Sequence, residues 1–179
     1  GIPKIKIPNL HIIDLSHNGF TGDFPSKYFQ NWNAMKFFDV NKTTYMYAHI
    51  EIPLPISLPW ISVYYFNMNI TNKGVNTEYK WTLNIFTAID LSRNKFEGEI
   101  PEFIGNLKGL QVLNLSNNDL SGRIPSCLGN LTNLESLDLS QNNLSREIPQ
   151  QLSLLTFLEF LNVSNNNLTG PRFMWARKE

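Results

Sequence analysis

The sequence has little of what marks several common classes of protein. It contains one cysteine, Cys127, among 179 residues, so neither an internal disulfide nor a cysteine-based zinc site is expected. Its three histidines, His11, His17 and His49, show no metal-binding spacing, and no glycine-rich phosphate loop is present, so we expect no metal and no cofactor. Basic and acidic residues number 15 each. This balance argues against nucleic acid or an anionic membrane surface as partner.

The sequence also lacks a segment that predicts a signal peptide or a membrane span. Residues 1–10 have no apolar core segment. Residues 52–72 carry no charge, but Pro53, Pro55 and Pro59 prevent a regular helix there. With 42% hydrophobic residues, the chain can nevertheless bury a real core, so global disorder is not expected.

An internal repeat of 24 residues dominates what is present. Copies of the pattern L-x-x-L-x-L-x-x-N-x-L/F begin at Leu10, Phe86, Leu110, Leu134 and Leu158. The alternating core, such as Leu113 and Leu115, predicts a short strand with these leucines inward and the intervening residues outward. One coil cannot bury its apolar face alone, whereas stacked coils can. The pattern therefore predicts an α/β-type repeat solenoid with a parallel strand ladder on its concave face.

One asparagine recurs after each strand. The positions are Asn18, Asn94, Asn118, Asn142 and Asn166. An inward amide can both donate to and accept from backbone groups of neighbouring turns, and an unpaired buried amide is costly. The column therefore predicts a hydrogen-bonded ladder rather than a functional site.

The first two copies are separated by 76 residues (86−10), far more than one repeat. The spacing of Met35–Val40 fits a further strand start and places Asp39 in line with Asp14 and Asp90, so six strands are predicted. The remaining 45 residues, 41–85, are rich in aromatic residues and proline and poor in leucine. They therefore predict an insert that bulges from one side of the sheet.

A hairpin is predicted within this insert. Residues 66–71 alternate apolar and polar side chains, as in a strand with one buried face. Asn72, Lys73 and Gly74 fit a tight turn, and Val75–Tyr79 fits the returning strand. The aromatic residues of the insert either pack it onto the solenoid or form a ligand-contacting surface, and the sequence leaves both open.

The phrases G-x-I-P and G-N-L, as in residues 100–107, resemble the plant-specific class of leucine-rich repeat. The arrangement is similar to the C-terminal ectodomain of plant receptor-like proteins and receptor kinases, in which an island domain interrupts the repeats. Residues 33–35, 72–74 and 86–92 are similar to the receptor-like proteins in particular. The resemblance implies an N-terminal repeat block at 1–40, an island insert at 41–85, a C-terminal block of four repeats at 86–173 and a non-repeat tail at 174–179.

The resemblance also implies a function. Such proteins perceive an extracellular peptide, protein or small molecule at the outer face of the plasma membrane, and they dock a co-receptor kinase ectodomain that has its own leucine-rich repeats. No enzymatic activity and no catalytic residue are expected. The candidate binding residues are Tyr65, Lys73, Tyr79, Ser92, Arg93, Asn114, Ser116, Asn117, Asp138, Ser140, Gln141, Asn162 and Ser164.

Seven N-x-S/T sequons occur, a density that fits a secreted glycoprotein. Several arise because the repeat itself spells N-L-S or N-L-T. Asn41 and Asn69 owe nothing to the repeat and are the better candidates. The expected glycosylation sites are Asn41, Asn69, Asn130 and Asn143.

Other functions remain open from sequence. A secreted inhibitor of a cell-wall-degrading enzyme is one alternative, although such inhibitors resemble uninterrupted repeats. The last copy departs from G-x-I-P at residues 170–173, so a truncated product without independent function is another. Asp90 and Asp138 lie two strands apart, roughly 10 Å, within the range of an inverting glycosidase pair. An open surface without a third tuning group argues against that reading.

Overall fold

Parallel strands stacked at the 24-residue period form the frame of the molecule. The computed structural model describes residues 10–24, 32–36, 47–52, 60–65, 68–79 and 85–170. The strands are β1 (Ile12–Asp14), β2 (Thr21–Asp23), β3 (Tyr47–Ile52), β4 (Trp60–Tyr65), β5 (Met68–Asn72), β6 (Val75–Tyr79), β7 (Ala88–Asp90), β8 (Lys95–Glu99), β9 (Val112–Asn114), β10 (Asp119–Arg123), β11 (Ser136–Asp138), β12 (Asn143–Arg146), β13 (Phe160–Asn162) and β14 (Asn167–Leu168). Strands β1, β7, β9, β11 and β13 pair in that order. We call this parallel sheet the strand ladder.

A second parallel sheet runs beside the strand ladder. It contains β2, β8, β10, β12 and β14 in that order. The alternating pattern of the repeat did not predict this sheet. The second sheet forms because these segments are extended in every coil, so stacking brings their backbones within pairing distance. Each coil therefore contributes one strand to each sheet.

Short 3-10 helices close the far side of the coils. They span Asn33–Met35, Glu102–Asn106, Ser126–Asn130 and Gln150–Leu154. Pro101, Pro125 and Pro149 precede the last three in extended conformation, with ψ of 131° to 140°. Proline suits this place because its fixed φ fits an entry that needs no N–H donor. The described residues contain no α-helix.

One continuous core fills the space between the sheets and the 3-10 helices. The inward leucines of the middle coils, such as Leu113, Leu115 and Leu137, are fully buried. Burying each such side chain contributes about 1.5–3 kcal/mol. In the outer coils of the described stack, Ile13 and Leu161 are only partly buried, because each has a neighbouring coil on one side alone.

The asparagine column forms the predicted hydrogen-bonded ladder. The Asn118 Oδ1 accepts the N–H of Phe96 at 3.1 Å, and its Nδ2 donates to the carbonyl oxygen of Leu91 at 3.0 Å, both in the preceding coil. The same amide donates to the carbonyl oxygen of Leu115 at 3.2 Å in its own coil. Asn94, Asn142 and Asn166 repeat this pattern. The side chains thus replace the backbone partners that each turn would lack.

The predicted sixth strand at Met35–Val40 is not part of the strand ladder. Strand β1 pairs directly with β7, so no strand lies between them. Met35 ends a 3-10 helix and is fully buried, whereas residues 37–40, including Asp39, lie outside the described residues. The Met35 N–H donates to Trp32 as the Leu110 N–H donates to Leu107. Met35 therefore takes the place of the first leucine of a repeat, and the ladder has five strands.

The predicted hairpin is confirmed. Strands β5 and β6 pair antiparallel, with Asn72 opposite Val75. Lys73 and Gly74 form the two-residue turn with φ of 52° and 75°, the backbone that a tight hairpin requires. A second antiparallel pair, β3 with β4, precedes it. The boundaries of an insert at 41–85 remain a prediction.

The central role of the asparagine ladder can be tested with Asn118→Ala. This change leaves the Phe96 N–H and the Leu91 carbonyl oxygen without their partners in a buried turn, so we expect a loss of about 2–3 kcal/mol in the free energy of unfolding. Asn18→Ala is the matched control, because Asn18 is exposed in the first described coil and should cost less than about 1 kcal/mol. Denaturant unfolding measures both. Equal losses would contradict the assigned role.

Candidate functional site

The β5–β6 hairpin lies across the outward face of the strand ladder. Ile70 of β5 is 2% exposed and packs with Ala88 and Val112, the first residues of β7 and β9. At the turn, the Lys73 N–H donates to the Ser136 Oγ of β11 at 3.2 Å. The contacts of the hairpin therefore follow the first residues of successive ladder strands.

The tip of the hairpin is held at the last described ladder strand. Gly74 sits against Phe160 of β13 so closely that an added β carbon would lie 3.2 Å from the Phe160 ring. The Lys73 ammonium pairs with the Glu159 carboxylate. The hydrogen bond that the Lys73 ammonium donates to Glu159 raises the pKa of Lys73 above 10.5. Since both side chains are exposed, we expect this ion pair to orient the tip rather than to stabilise it strongly.

The base of the hairpin is held by aromatic packing. The Tyr79 ring stacks on Phe86 with centroids 5.0 Å apart, and the Tyr79 hydroxyl accepts a hydrogen bond from the Asn72 Nδ2 at 2.7 Å. Lys73 and Tyr79, two candidate binding residues, thus belong to this hairpin. The backbone of Tyr65 ends β4, and its side chain lies outside the described part of the chain.

The structure brings seven other candidate residues into one stripe, where each takes part in hydrogen bonds. They are Ser92, Asn114, Ser116, Asp138, Ser140, Asn162 and Ser164. The Asn114 and Asp138 Oδ1 atoms accept the backbone N–H groups of Ser116 and Ser140 at 3.1 and 3.0 Å, and Asn162 repeats this with Ser164. The Asn114 Nδ2 donates to Asp90 at 3.2 Å. Asn114 is 3% exposed and both Ser92 and Ser140 are 4% exposed. These polar groups hold the turn after each strand, so little of Ser92, Asn114 or Ser140 is available to a ligand. Ser164, in contrast, is exposed.

The remaining candidate residues, Arg93, Asn117 and Gln141, form an exposed row at the edge of the strand ladder. Each has φ near 54°, an uncommon conformation for residues other than glycine. Backbone hydrogen bonds hold it, since the N–H of each residue donates to a serine carbonyl oxygen of the next coil at 2.9 Å. We call this row the rim row. Its side chains project where a partner can contact them.

The buried carboxyl of Asp90 differs from the rest of the surface. Burial raises the pKa of Asp90 above 3.8, and the neighbouring charge of Asp14 raises it further, whereas hydrogen bonds from Ser92 and Asn114 oppose the shift. Asn114 lies on the strand between Asp90 and Asp138. The two carboxyls are thus tied into the hydrogen bonds of the turns, which does not favour the glycosidase alternative.

Other candidate chemistry is weak across the described residues. No group of three or more His, Cys, Asp or Glu side chains there is placed to hold a metal ion. Cys127 is half-buried, and burial raises the pKa of its thiol to about 11, so the thiol stays protonated at neutral pH. No helix in the described part of the chain is long and apolar enough to cross a membrane.

The sequons differ in exposure. Asn69, Asn130 and Asn143 are exposed, as glycosylation requires, and Asn41 lies outside the described residues. Asn114 is buried with its amide hydrogen-bonded, which argues against a glycan there. The four expected sites remain predictions.

Sequence reasoning missed the ladder residues that hold the hairpin, namely Ser136, Glu159 and Phe160. A weak signal existed, because the first residue of each ladder strand varies from Ala88 through Val112 and Ser136 to Phe160. These residues vary because each contacts a different part of the hairpin. The periodic pattern could not say which segment that is, because the hairpin is 57 residues or more away from Ser136 in sequence (136−79).

Comparison with known proteins agrees with this architecture. A family model described as Leucine rich repeat matches residues 86–144, and a second leucine-rich-repeat model matches residues 9–31 and 157–176. The chain belongs to the leucine-rich repeat proteins. Within them it is of the plant receptor-like type: Receptor-like protein 18 of Arabidopsis thaliana is 46% identical over 109 residues, which are 61% of this chain and 12% of that protein. The chain thus spans little more than a tenth of the length of this relative.

Solved structures extend the similarity over most of the chain. The ectodomain of the Arabidopsis receptor kinase HAESA with an N-terminally extended IDA peptide hormone is 28% identical with a TM-score of 0.58, covering 90% of this chain and 18% of that one. HAESA in complex with IDA and the co-receptor SERK1 is 25% identical with a TM-score of 0.58, covering 90% and 19%. The peptide hormone and the co-receptor in these structures are those of HAESA.

The packing of the hairpin on the ladder predicts the effect of Ile70→Ala. Removing buried methyl groups between β5 and the ladder should lower the free energy of unfolding by about 2–4 kcal/mol, or release the hairpin locally. Val75→Ala on the same hairpin is the control, since Val75 is 63% exposed. Hydrogen exchange of residues 68–79 distinguishes them. Protection that is unchanged in Ile70→Ala would contradict the described packing.

The Asp14–Asp90 pair predicts a pH dependence of stability. Because the folded-state pKa of Asp90 is raised, its contribution is fully present below the unfolded pKa and is lost as pH rises through the folded value. Asp14→Asn keeps the Oδ1 acceptor for the Ser16 N–H and removes one of two neighbouring charges. We expect the stability lost between about pH 3 and pH 7 to shrink by about 0.5 kcal/mol at low salt. Identical pH profiles would refute this electrostatic coupling.

Proposed function

We propose that the chain is part of the ligand- and co-receptor-binding ectodomain of a plant cell-surface receptor-like protein and that it catalyses no reaction. The observation that carries the proposal is the hairpin fixed across the first residues of the ladder strands, with the exposed rim row after the last residues of the same strands. Hairpin and rim row together present a surface built from two distant parts of the sequence. An insert at this place favours a receptor over a wall-enzyme inhibitor, since such inhibitors resemble uninterrupted repeats.

The arrangement divides the candidate residues by role. Arg93, Asn117 and Gln141 are the exposed groups of the rim row, and Lys73 and Tyr79 belong to the hairpin. The aspartate, asparagine and serine residues of the stripe support this surface through their hydrogen bonds to the turns. An extracellular ligand would therefore contact hairpin and rim row, and a co-receptor kinase ectodomain with leucine-rich repeats would dock on the repeats after the insert.

The comparisons support this proposal at the level of the family. HAESA, a fold relative, is solved with a peptide hormone and the co-receptor SERK1. The parent protein is proposed to act at the extracellular face of the plasma membrane, with an island at 41–85 and repeats at 1–40 and 86–173. Glycans at Asn41, Asn69, Asn130 and Asn143 would fit that location.

A binding measurement tests the proposed surface. The glycosylated chain is immobilised and the SERK1 ectodomain is used as the co-receptor probe. The double variant Arg93→Glu with Gln141→Glu should weaken binding at least tenfold, because charge is introduced at two exposed groups of the rim row.

The control is Lys95→Glu, which also places an acidic side chain at an exposed position but on the second sheet. Binding of that variant should stay within about twofold of the unchanged chain. Absence of binding by the unchanged chain, or an equal loss in the control, would remove support for docking on the rim row.

A further inference from the structure

Arg146 occupies a repeat position at which the other described coils carry glycine. Those glycines are Gly22, Gly98, Gly122 and Gly170, with φ between 77° and 100°. Arg146, at the end of β12, has φ of 69° and is exposed. Glycine adopts this conformation freely, whereas a residue with a β carbon adopts it under strain. Strain of this kind persists where the surrounding structure holds it. It is found most often at functional sites, which suggests a role for the Arg146 side chain.

The packing beside Arg146 also differs from that of its counterparts. At Gly122 an added β carbon would lie 2.8 Å from the Cγ of Glu99, and at Gly170 it would lie 2.6 Å from the Cγ of Glu147. An acidic side chain from the preceding coil thus covers each of these glycines. The residue of the preceding coil that corresponds to Glu99 is Arg123, which pairs instead with Glu102 at 2.9 Å. The space beside Arg146 is therefore left open.

A groove of about 490 Å³ results between these coils. Its lining includes Arg123, Ser126, Arg146, Glu147, Pro149 and Thr169. Arg123 is engaged with Glu102, whereas the Arg146 side chain makes no hydrogen bond or ion pair to any described residue. Asn143 begins the same strand but does not line the groove. The groove thus contains one free guanidinium group together with two hydroxyl-bearing residues.

We propose that this groove docks a carboxylate side chain of a protein partner, with Arg146 as its bidentate donor. A guanidinium offers two parallel N–H groups that match the two oxygens of a carboxylate, a geometry that lysine lacks. The Ser126 and Thr169 hydroxyls can complete the hydrogen bonds of that group. The site lies on the second sheet, away from hairpin and rim row, and does not depend on the function proposed above.

The charges around the groove favour a single carboxylate over a polyanion. Glu147 lines the groove, Glu102 pairs with Arg123 and Glu99 lies against Gly122. A chain of closely spaced negative charges would therefore meet repulsion from these carboxylates. A single carboxylate of a protein can face Arg146, while neutral or basic residues that flank it avoid repulsion by Glu147. These charges therefore favour a protein partner over an acidic polysaccharide.

The first test is an NMR titration of this chain that follows the Arg146 Nε–H. The probe is a pentapeptide with a central glutamate flanked by lysines, and its controls are the same peptide with glutamine and trigalacturonate. We expect a saturable shift with the glutamate peptide and at least tenfold weaker binding of both controls. Equal binding of the glutamine peptide, tighter binding of trigalacturonate, or the same shift at the exposed Arg93 would overturn the proposal.

The second test uses the strain at residue 146, because binding and stability should change in opposite directions. Arg146→Gly removes strain and should raise Tm by about 3 °C, yet it should abolish the shift produced by the glutamate peptide. Arg146→Lys keeps charge and strain, so we expect unchanged Tm and at least tenfold weaker binding. Retained peptide binding in Arg146→Gly would show that the arginine is not the docking group.

Discussion

Hydrogen bonding of the asparagine side chains to the turns of adjacent coils is the constraint on which the rest of the structure depends. After every ladder strand the backbone must reverse, and residues such as Arg93 and Asn117 do so with positive φ. The following asparagine bonds to backbone groups of its own coil and of the preceding one. Each turn is thereby fixed to its neighbour, which sets the spacing at which two sheets can pair on either side.

This frame explains how the β5–β6 hairpin is accommodated. Met35 completes the core of one coil, and β1 and β7 pair without an intervening strand. Phe86 stands where the first leucine of a repeat would, but packs with Ile70 and Tyr79 instead of entering the main core. The displaced aromatic residue thus becomes part of the support of the hairpin. Met35 fills the main core, and Phe86 joins the hairpin to the solenoid.

Much of the fold could be predicted because it follows from local periodicity. The ladder strands, the role of Asn118 and the turn at Lys73 and Gly74 each depend on residues within one repeat or one hairpin. The second sheet was missed because its pairing is decided by stacking rather than by an alternating pattern. The predicted place of Met35–Val40, as a ladder strand between the first two copies, was wrong, because its spacing matches a repeat, whereas the direct pairing of β1 with β7 is decided by long-range packing.

The candidate site was predicted less completely for the same physical reason. Outward position on a strand does not reveal whether a polar group is already bonded, and Asn114 and Asp138 turn out to serve the backbone of their own turns. The exposed rim row was included among the candidates, but the contacts of Lys73 with Ser136 and Glu159 depend on tertiary packing. The sequence shows arginine at position 146, where the other copies have glycine. Only the structure shows that Arg146 nevertheless has the positive φ of those glycines.

The central claim is that the β5–β6 hairpin is fixed across the strand ladder. Nuclear Overhauser effects in the isotope-labelled chain test it most directly. We expect cross-peaks from the Ile70 methyl groups to those of Val112 and from the Gly74 α protons to the Phe160 ring. Cross-strand signals within the hairpin that persist while both of these contacts are absent would contradict it.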